Sequence, residues 1–183
     1  MGAGSRVATS MSEASVLLRD AARCAVRTLR LLAGRRLHLG TARVGARLAL
    51  PDGHTYVVFR ESTCDAPVGG CPVTLAVWFR LRSIPPGARV RRWLFERLCI
   101  ANTLLFAGFD GYLVKLWMVD PVTSEYAGLY SWASSGEAER YGSYITAVLR
   151  PISQPGSVGF RVVTESTLDE YLGGEVDGGP PAP

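Results

Sequence analysis

The chain has one lysine, two histidines, four cysteines and no long apolar run, and each scarcity removes a class of function. Lys115 stands alone against 19 arginines, so the net charge of +4 is an arginine charge. A GC-rich genome produces the same bias, which therefore raises the expectation of nucleic-acid binding only slightly. Cys24, Cys64, Cys71 and Cys99 form no CxxC pair and have no histidine at zinc-finger spacing, which argues against a structural metal site. Cys64 and Cys71 could close a small loop, yet nothing else points to secretion, so reduced thiols in a cytoplasmic protein are expected. The best uncharged run, residues 98–109, is twelve long, short of the ~18 that a membrane span requires. Glu13, Arg19 and Asp20 interrupt any signal-peptide core. A P-loop, a GxGxxG after a strand and a GxSxG elbow are all missing, which leaves no nucleotide or hydrolase motif to follow.

What is present suits one core with extensions: 183 residues, 48% apolar and 20% charged. Residues 1–11 read as a disordered leader, with Met11 a candidate start. Residues 12–36 read as an amphipathic helix that Gly34 stops. Leu18, Ala22, Ala25, Leu29 and Leu32 form its apolar stripe, and Arg19, Arg23, Arg27 and Arg30 form a second stripe. Such a helix either docks on its own domain or makes peripheral contact with an anionic membrane surface. In residues 41–61 two alternating runs flank Pro51-Asp52-Gly53, a hairpin signal that extends or covers a sheet edge. Residues 72–165 read strand, helix, strand, strand, helix, strand, with strands at 73–81, 109–119, 126–132 and 157–164 and a first helix at 89–105. Ser134 with Glu137 three residues on is a capping box that opens the second helix, which runs to Leu149. Residues 167–172 can add a helical turn, and the Gly- and Pro-rich residues 173–183 read as a disordered tail.

Alternation sorts each strand into two faces. The aliphatic parity, including Val73, Leu75, Val77, Leu116 and Leu129, suits packing under helices. The helices supply matching stripes, Trp93 or Leu94 with Leu98, Ala101 and Leu105 on the first, and Ala138, Tyr141, Ile145, Val148 and Leu149 on the second. The opposite parity then assembles Trp78, Arg80, Lys115, Trp117, Tyr126, Tyr130, Trp132 and Arg161 on one face, a candidate pocket or interface. Asn102, beside the first helix's stripe, either bonds a local backbone group or points into a pocket. Cys99 on an apolar helix face reads as core.

The element order is that of a ferredoxin-like α+β fold. The segments Asn102-Thr103-Leu104-Leu105-Phe106-Ala107-Gly108-Phe109-Asp110-Gly111-Tyr112, Leu116-Trp117 and Gly128-Leu129-Tyr130-Ser131-Trp132 resemble small proteins of the dimeric α+β barrel superfamily, which includes cofactor-independent monooxygenases of antibiotic biosynthesis. The resemblance implies a homodimer joined through its sheets, no cofactor, and a small aromatic or enolic ligand that is oxidised or isomerised. Arg80, Lys115 or Arg161 would stabilise the substrate anion, while Trp78, Trp117 and Tyr130 would stack on its ring. The same residues would equally serve a dimer interface without catalysis. Haem-degrading members use an Asn, Trp and His constellation. Asn102 and Trp93 or Trp117 could stand for parts of it, but His38 and His54 both precede the barrel segment, so haem is not carried over. The RNA-recognition motif has the same fold with aromatics on the strands where Trp78 and Tyr130 fall, yet residues 125–132 lack its glycine-aromatic signature, and nucleic acid is not expected.

Overall fold

The computed structural model describes residues 3–50, 53–65, 72–84, 87–103, 106–164 and 167–172. In the main unit β4 (Val73–Phe79), α2 (Arg89–Asn102), β5 (Tyr112–Val119), β6 (Tyr126–Trp132), α3 (Ser135–Leu149) and β7 (Gly159–Val163) follow one another. Their order across the antiparallel sheet is β5-β6-β4-β7, the arrangement of the ferredoxin-like βαββαβ fold. Before them come α1 (Ala3–Ala33), β1 (Leu37–Gly40), β2 (Arg47–Ala49) and β3 (Thr55–Cys64). The long strand β3 pairs with β5 on one side and with both β1 and β2 on the other, so β1, β2 and β3 extend the sheet beyond β5. A short α4 (Leu168–Leu172) follows β7, with Thr167 and Glu170 bonded to each other across its first turn.

Local chemistry sets several boundaries. Ser134, in extended conformation, accepts the Glu137 N–H and donates its own hydroxyl to the Glu137 carboxylate, which starts α3 where the capping box placed it. At the end of α1 the Arg36 N–H reaches the Leu31 carbonyl and the Arg35 N–H the Leu32 carbonyl, a Schellman turn. The left-handed position falls on Arg35, at φ 52°, one residue after Gly34.

Three expectations are corrected. Residues 3–11, read as a leader, belong to α1, which is continuous from Ala3. The stripe chosen for docking this helix is also displaced by one residue. Leu17, Ala21, Cys24, Thr28 and Leu31 face the protein, while Leu18, 71% accessible, and Leu29, 56%, project outward. Size decides this: a Cβ at Gly108 would fall on the Cys24 carbonyl oxygen and within 2.9 Å of the Thr28 amide nitrogen, so the helix face with small side chains is the one that can come so near. On α2, Trp93, Leu94 and Leu98 are exposed, and Phe95 and Cys99 pack inward instead. Ala101 and Leu105 of that stripe lie outside the described side chains, as do the Cys71 thiol and the tail from residue 173. The stripe of α3 is buried as expected, with Val148 at its margin.

Two cores flank the sheet. On the helix side Val73, Leu75, Val77, Ala138, Tyr141 and Ile145 form one cluster. On the other side Leu116, Met118 and Leu129, none of them accessible, lie under Leu48 and Leu50 of the hairpin and Leu168 and Leu172 of α4. No helix among the described residues is long and apolar enough to cross a membrane.

Candidate functional site

The nine candidate residues do not share one face. Residues directly opposite in an antiparallel pair lie on the same side of the sheet. The register pairs Val73 with Trp132, Leu75 with Tyr130 and Phe79 with Tyr126. It also pairs Lys115 with Tyr130 and Trp117 with Gly128. Lys115, Trp117, Tyr126, Tyr130 and Trp132 therefore point under the helices, with Asn102 above them. Trp78, Arg80 and Arg161 stay on the opposite face, where Trp78 opposes Ala127 and Arg161 opposes Ala76. Alternation holds as read along β4, β6 and β7, but in β5 a bulge between Tyr112 and Val114 puts Tyr112 on the side of Lys115 and Trp117 rather than that of Leu116. The error lay in sending the aliphatic parity of every strand to the helices, when β5 and β6 send their aromatic parity there.

Beneath the helices the rings interlock. Phe106 meets Trp117 edge-on at 5.3 Å between centroids, and Tyr141 lies 5.1 Å from Tyr130 and 4.9 Å from Trp132. The Tyr130 and Tyr141 hydroxyls are bonded at 3.1 Å, and burial pushes both phenols well above their ordinary range, so they stay protonated. Into this aromatic wall β5 inserts Lys115. Its ammonium lies 4.0 Å from the centre of the Phe106 ring, 4.4 Å from Trp117 and 4.8 Å from Tyr130. The residue is 3% accessible, and no described residue offers the amine a hydrogen-bond acceptor. Desolvation pulls its pKa from 10.5 down to about 7, so near neutrality a large share of the amine is unprotonated.

The polar groups around Lys115 are underused. Asn102 Oδ1 and Trp117 Nε1 are both buried without a partner among the described residues. Together with Lys115 they border a cavity of about 20 Å³ that Phe59, Phe95 and Cys99 help to close. Burial raises the Cys99 thiol to about 11, so it is a packing group, as the sequence reading had it. This arrangement can hold an anion against the ammonium or take a proton on the amine. A ligand larger than water enters only if α2 moves, and this helix keeps only Phe95 and Cys99 of its described apolar side chains packed inward.

The outer face carries a second, open cleft of about 330 Å³. Its floor is Ala76 and Ala127, and its walls include Trp78, Tyr56, Leu50 and Tyr171. A Cβ at Gly159 would come within 2.5 Å of the Trp78 ring, so the glycine is what allows the indole to lie across β7. Arg80 Nε donates to Glu125 Oε2 at 2.8 Å, and the Tyr56 hydroxyl donates to Oε1 at 2.8 Å. At one end His54 Nδ1 and Asp120 Oδ2 are 2.9 Å apart. Burial alone would raise Asp120, but hydrogen bonds from Thr123, His54 and the Val122 amide outweigh it and hold the carboxyl down to about 2. Phe106, His54, Asp120 and Glu125 were not picked out as site residues from the sequence. His54 was read only as too early for the barrel. His54 borders the outer cleft, on the other side of the sheet from Asn102 and Trp117.

No protein-family model matches the chain, and no curated protein matches it. Solved structures similar to it include LmHde, a heme-degrading enzyme from Listeria monocytogenes, at 14% identity over 69% of this chain and 95% of that one, with a TM-score of 0.42. A second is a ferredoxin-fold protein from Listeria monocytogenes related to antibiotic biosynthesis monooxygenases, at 12% identity over 69% and 90%, TM-score 0.43. A third is a monooxygenase-like protein from Listeria innocua, at 13% over 69% and 89%, TM-score 0.41. The ferredoxin-like assignment rests on the strand order of the chain itself.

Proposed function

We propose that the protein binds a small phenolic or enolic compound between α2 and the sheet, and that it acts on that compound as a cofactor-independent monooxygenase or isomerase of the dimeric α+β barrel type. The observation that supports this is the Lys115 amine, enclosed by three ring faces, lowered to about 7, and flanked by the unpartnered Asn102 carbonyl and Trp117 N–H. An amine so poised accepts the hydroxyl proton of a phenol or enol and then pairs, as ammonium, with the anion formed. The rings orient the substrate and exclude water. Oxidation would take its electrons from that anion and pass them to dioxygen, and isomerisation would return the proton at carbon.

The test uses 1,4-dihydroxynaphthalene as probe. Under nitrogen, binding should produce the naphtholate absorbance band below the free compound's own pKa, and in air the wild-type protein should accelerate oxygen uptake. Lys115→Met should lose both. Oxygen uptake that survives Lys115→Met, or a probe that stays protonated when bound, would overturn the proposal.

A second reading rests on α1. The leucine stripe foreseen as its docking face is solvent-facing and runs beside Arg19, Arg23 and Arg30, which suits peripheral contact of residues 12–36 with an anionic membrane surface. Sedimentation with phosphatidylglycerol vesicles at low salt should be lost in Leu18→Glu/Leu29→Glu. Equal sedimentation of the variant would end this reading.

A further inference from the structure

We propose that the cleft on the outer face of the sheet is a separate binding site for a planar aromatic carboxylate of one or two rings. Its shape comes from side-chain size. Ala76 on β4 lies diagonally across from Ala127 on β6, and the two leave the floor low, while Trp78 and Tyr56 contribute to the walls. At about 330 Å³ the cleft falls at the small end of ligand pockets, which run from roughly 300 Å³.

Charge selects the ligand's sign. Glu125 has one oxygen on Arg80 and the other on the Tyr56 hydroxyl, so this carboxylate and the Arg80 guanidinium answer each other within the protein. Asp120 is engaged by Thr123, by His54 and by the Val122 amide. Arg161 is left. It stands on β7 opposite Ala76, two residues from the glycine that Trp78 covers, and no described carboxylate pairs with it. The cation of the cleft that has no described carboxylate partner is thus a guanidinium, whose planar fork suits a carboxylate, beside an indole that suits a flat ring. Neither feature is used by the chemistry proposed around Lys115, which lies across the sheet.

The probes are 2-naphthoate and its uncharged counterpart 2-naphthamide, titrated calorimetrically against the full chain. The acid should bind at one site, and the amide more weakly. Arg161→Met, an exposed change, should weaken the acid by about tenfold or more and leave the amide where it was. Lys115→Met should leave the acid's affinity within about twofold of wild type, the scatter expected of distant independent sites. The proposal is overturned if the acid shows no saturable binding at millimolar concentration, if acid and amide bind equally, or if Arg161→Met changes neither. Loss of acid binding in Lys115→Met would place the probe beneath α2 and overturn it as well. Because failure around Lys115 is read by naphtholate formation and failure here by Arg161, the two proposals fail independently.

Discussion

Replacing Lys115 with methionine should stabilise the protein, and should do so more in acid than in base. Methionine keeps an unbranched side chain against the Phe106, Trp117 and Tyr130 rings and removes the buried amine. In the unfolded chain the amine holds its proton up to about pH 10.5, and in the folded chain only up to about 7. Below pH 7 both states are protonated, so the full cost of desolvation weighs against the folded state. A fall from 10.5 to about 7, at 1.36 kcal/mol per pH unit, makes that cost about 5 kcal/mol. Between pH 7 and 10.5 the unfolded chain binds more protons, so wild-type stability rises with pH, and above 10.5 the cost is gone. Attraction of the ammonium to the ring faces, of about 2 kcal/mol for a desolvated pair, opposes the loss of the proton. The advantage of Lys115→Met should therefore shrink by about 1 to 3 kcal/mol between pH 6 and pH 9. Urea unfolding followed by tryptophan fluorescence at the two pH values measures this, since other titrations are common to both proteins and cancel in the difference. At an m-value of about 2 kcal/mol/M, the gap in midpoints should narrow by roughly 0.5 to 1.5 M. An identical gap at both pH values would refute the desolvation argument, and so would a wild-type chain more stable than the variant at pH 6.

Three further outcomes are expected. Gly108→Ala should cost about 3 kcal/mol, because the clash is with the backbone of α1 and no rotamer relieves it, and limited proteolysis should then cut within α1 first; an unchanged melting temperature would show that the contact is not tight. Arg35→Gly should raise stability by about 0.5 to 1 kcal/mol, or about 2 °C in melting temperature, by removing a left-handed non-glycine residue from the turn after α1. Native mass spectrometry should show more dimer for a chain ending at Thr164 than for the full chain if the homodimer foreseen from the sequence uses the outer sheet face, because α4 covers Leu116, Met118 and Leu129 there. Equal dimer fractions would put any subunit contact elsewhere.

The order of elements was readable because each boundary has a local cause. Ser134 with Glu137 marks the start of α3, and the turn signal ending in Gly53 separates β2 from β3. Strand β1 was missed. Four residues with Leu37 buried and Leu39 exposed carry too little alternation to stand out, and pairing with β3 is what makes them a strand. The site was half readable. Eight of the nine candidates border the helix-side core or one of the two cavities, and Arg80 reaches the outer cleft only through Glu125, yet which face each strand shows to the helices depends on register, and register is not a property of one strand. Polarity misled there. Tyr130, Trp132 and Lys115 look like surface side chains, but the interior accepts them because Tyr141 takes the Tyr130 hydroxyl and the rings receive the ammonium. For α1 the leucines drew attention, whereas the docking face was chosen by how near the small side chains let the backbone approach Gly108.

The placement of Lys115 also fixes how this protein meets amine chemistry. It is the chain's only lysine, and it is enclosed in the core. Apart from the α-amino end, the folded surface offers no primary amine to an acylating reagent, an acetyl donor or an aldehyde cross-linker, so lysine-directed tagging would have to wait for the helix layer to open. Once open, that single amine reports on the event. The rate at which it becomes labelled, set against labelling of the α-amino group in the same tube, is a built-in clock for any opening that exposes this part of the core.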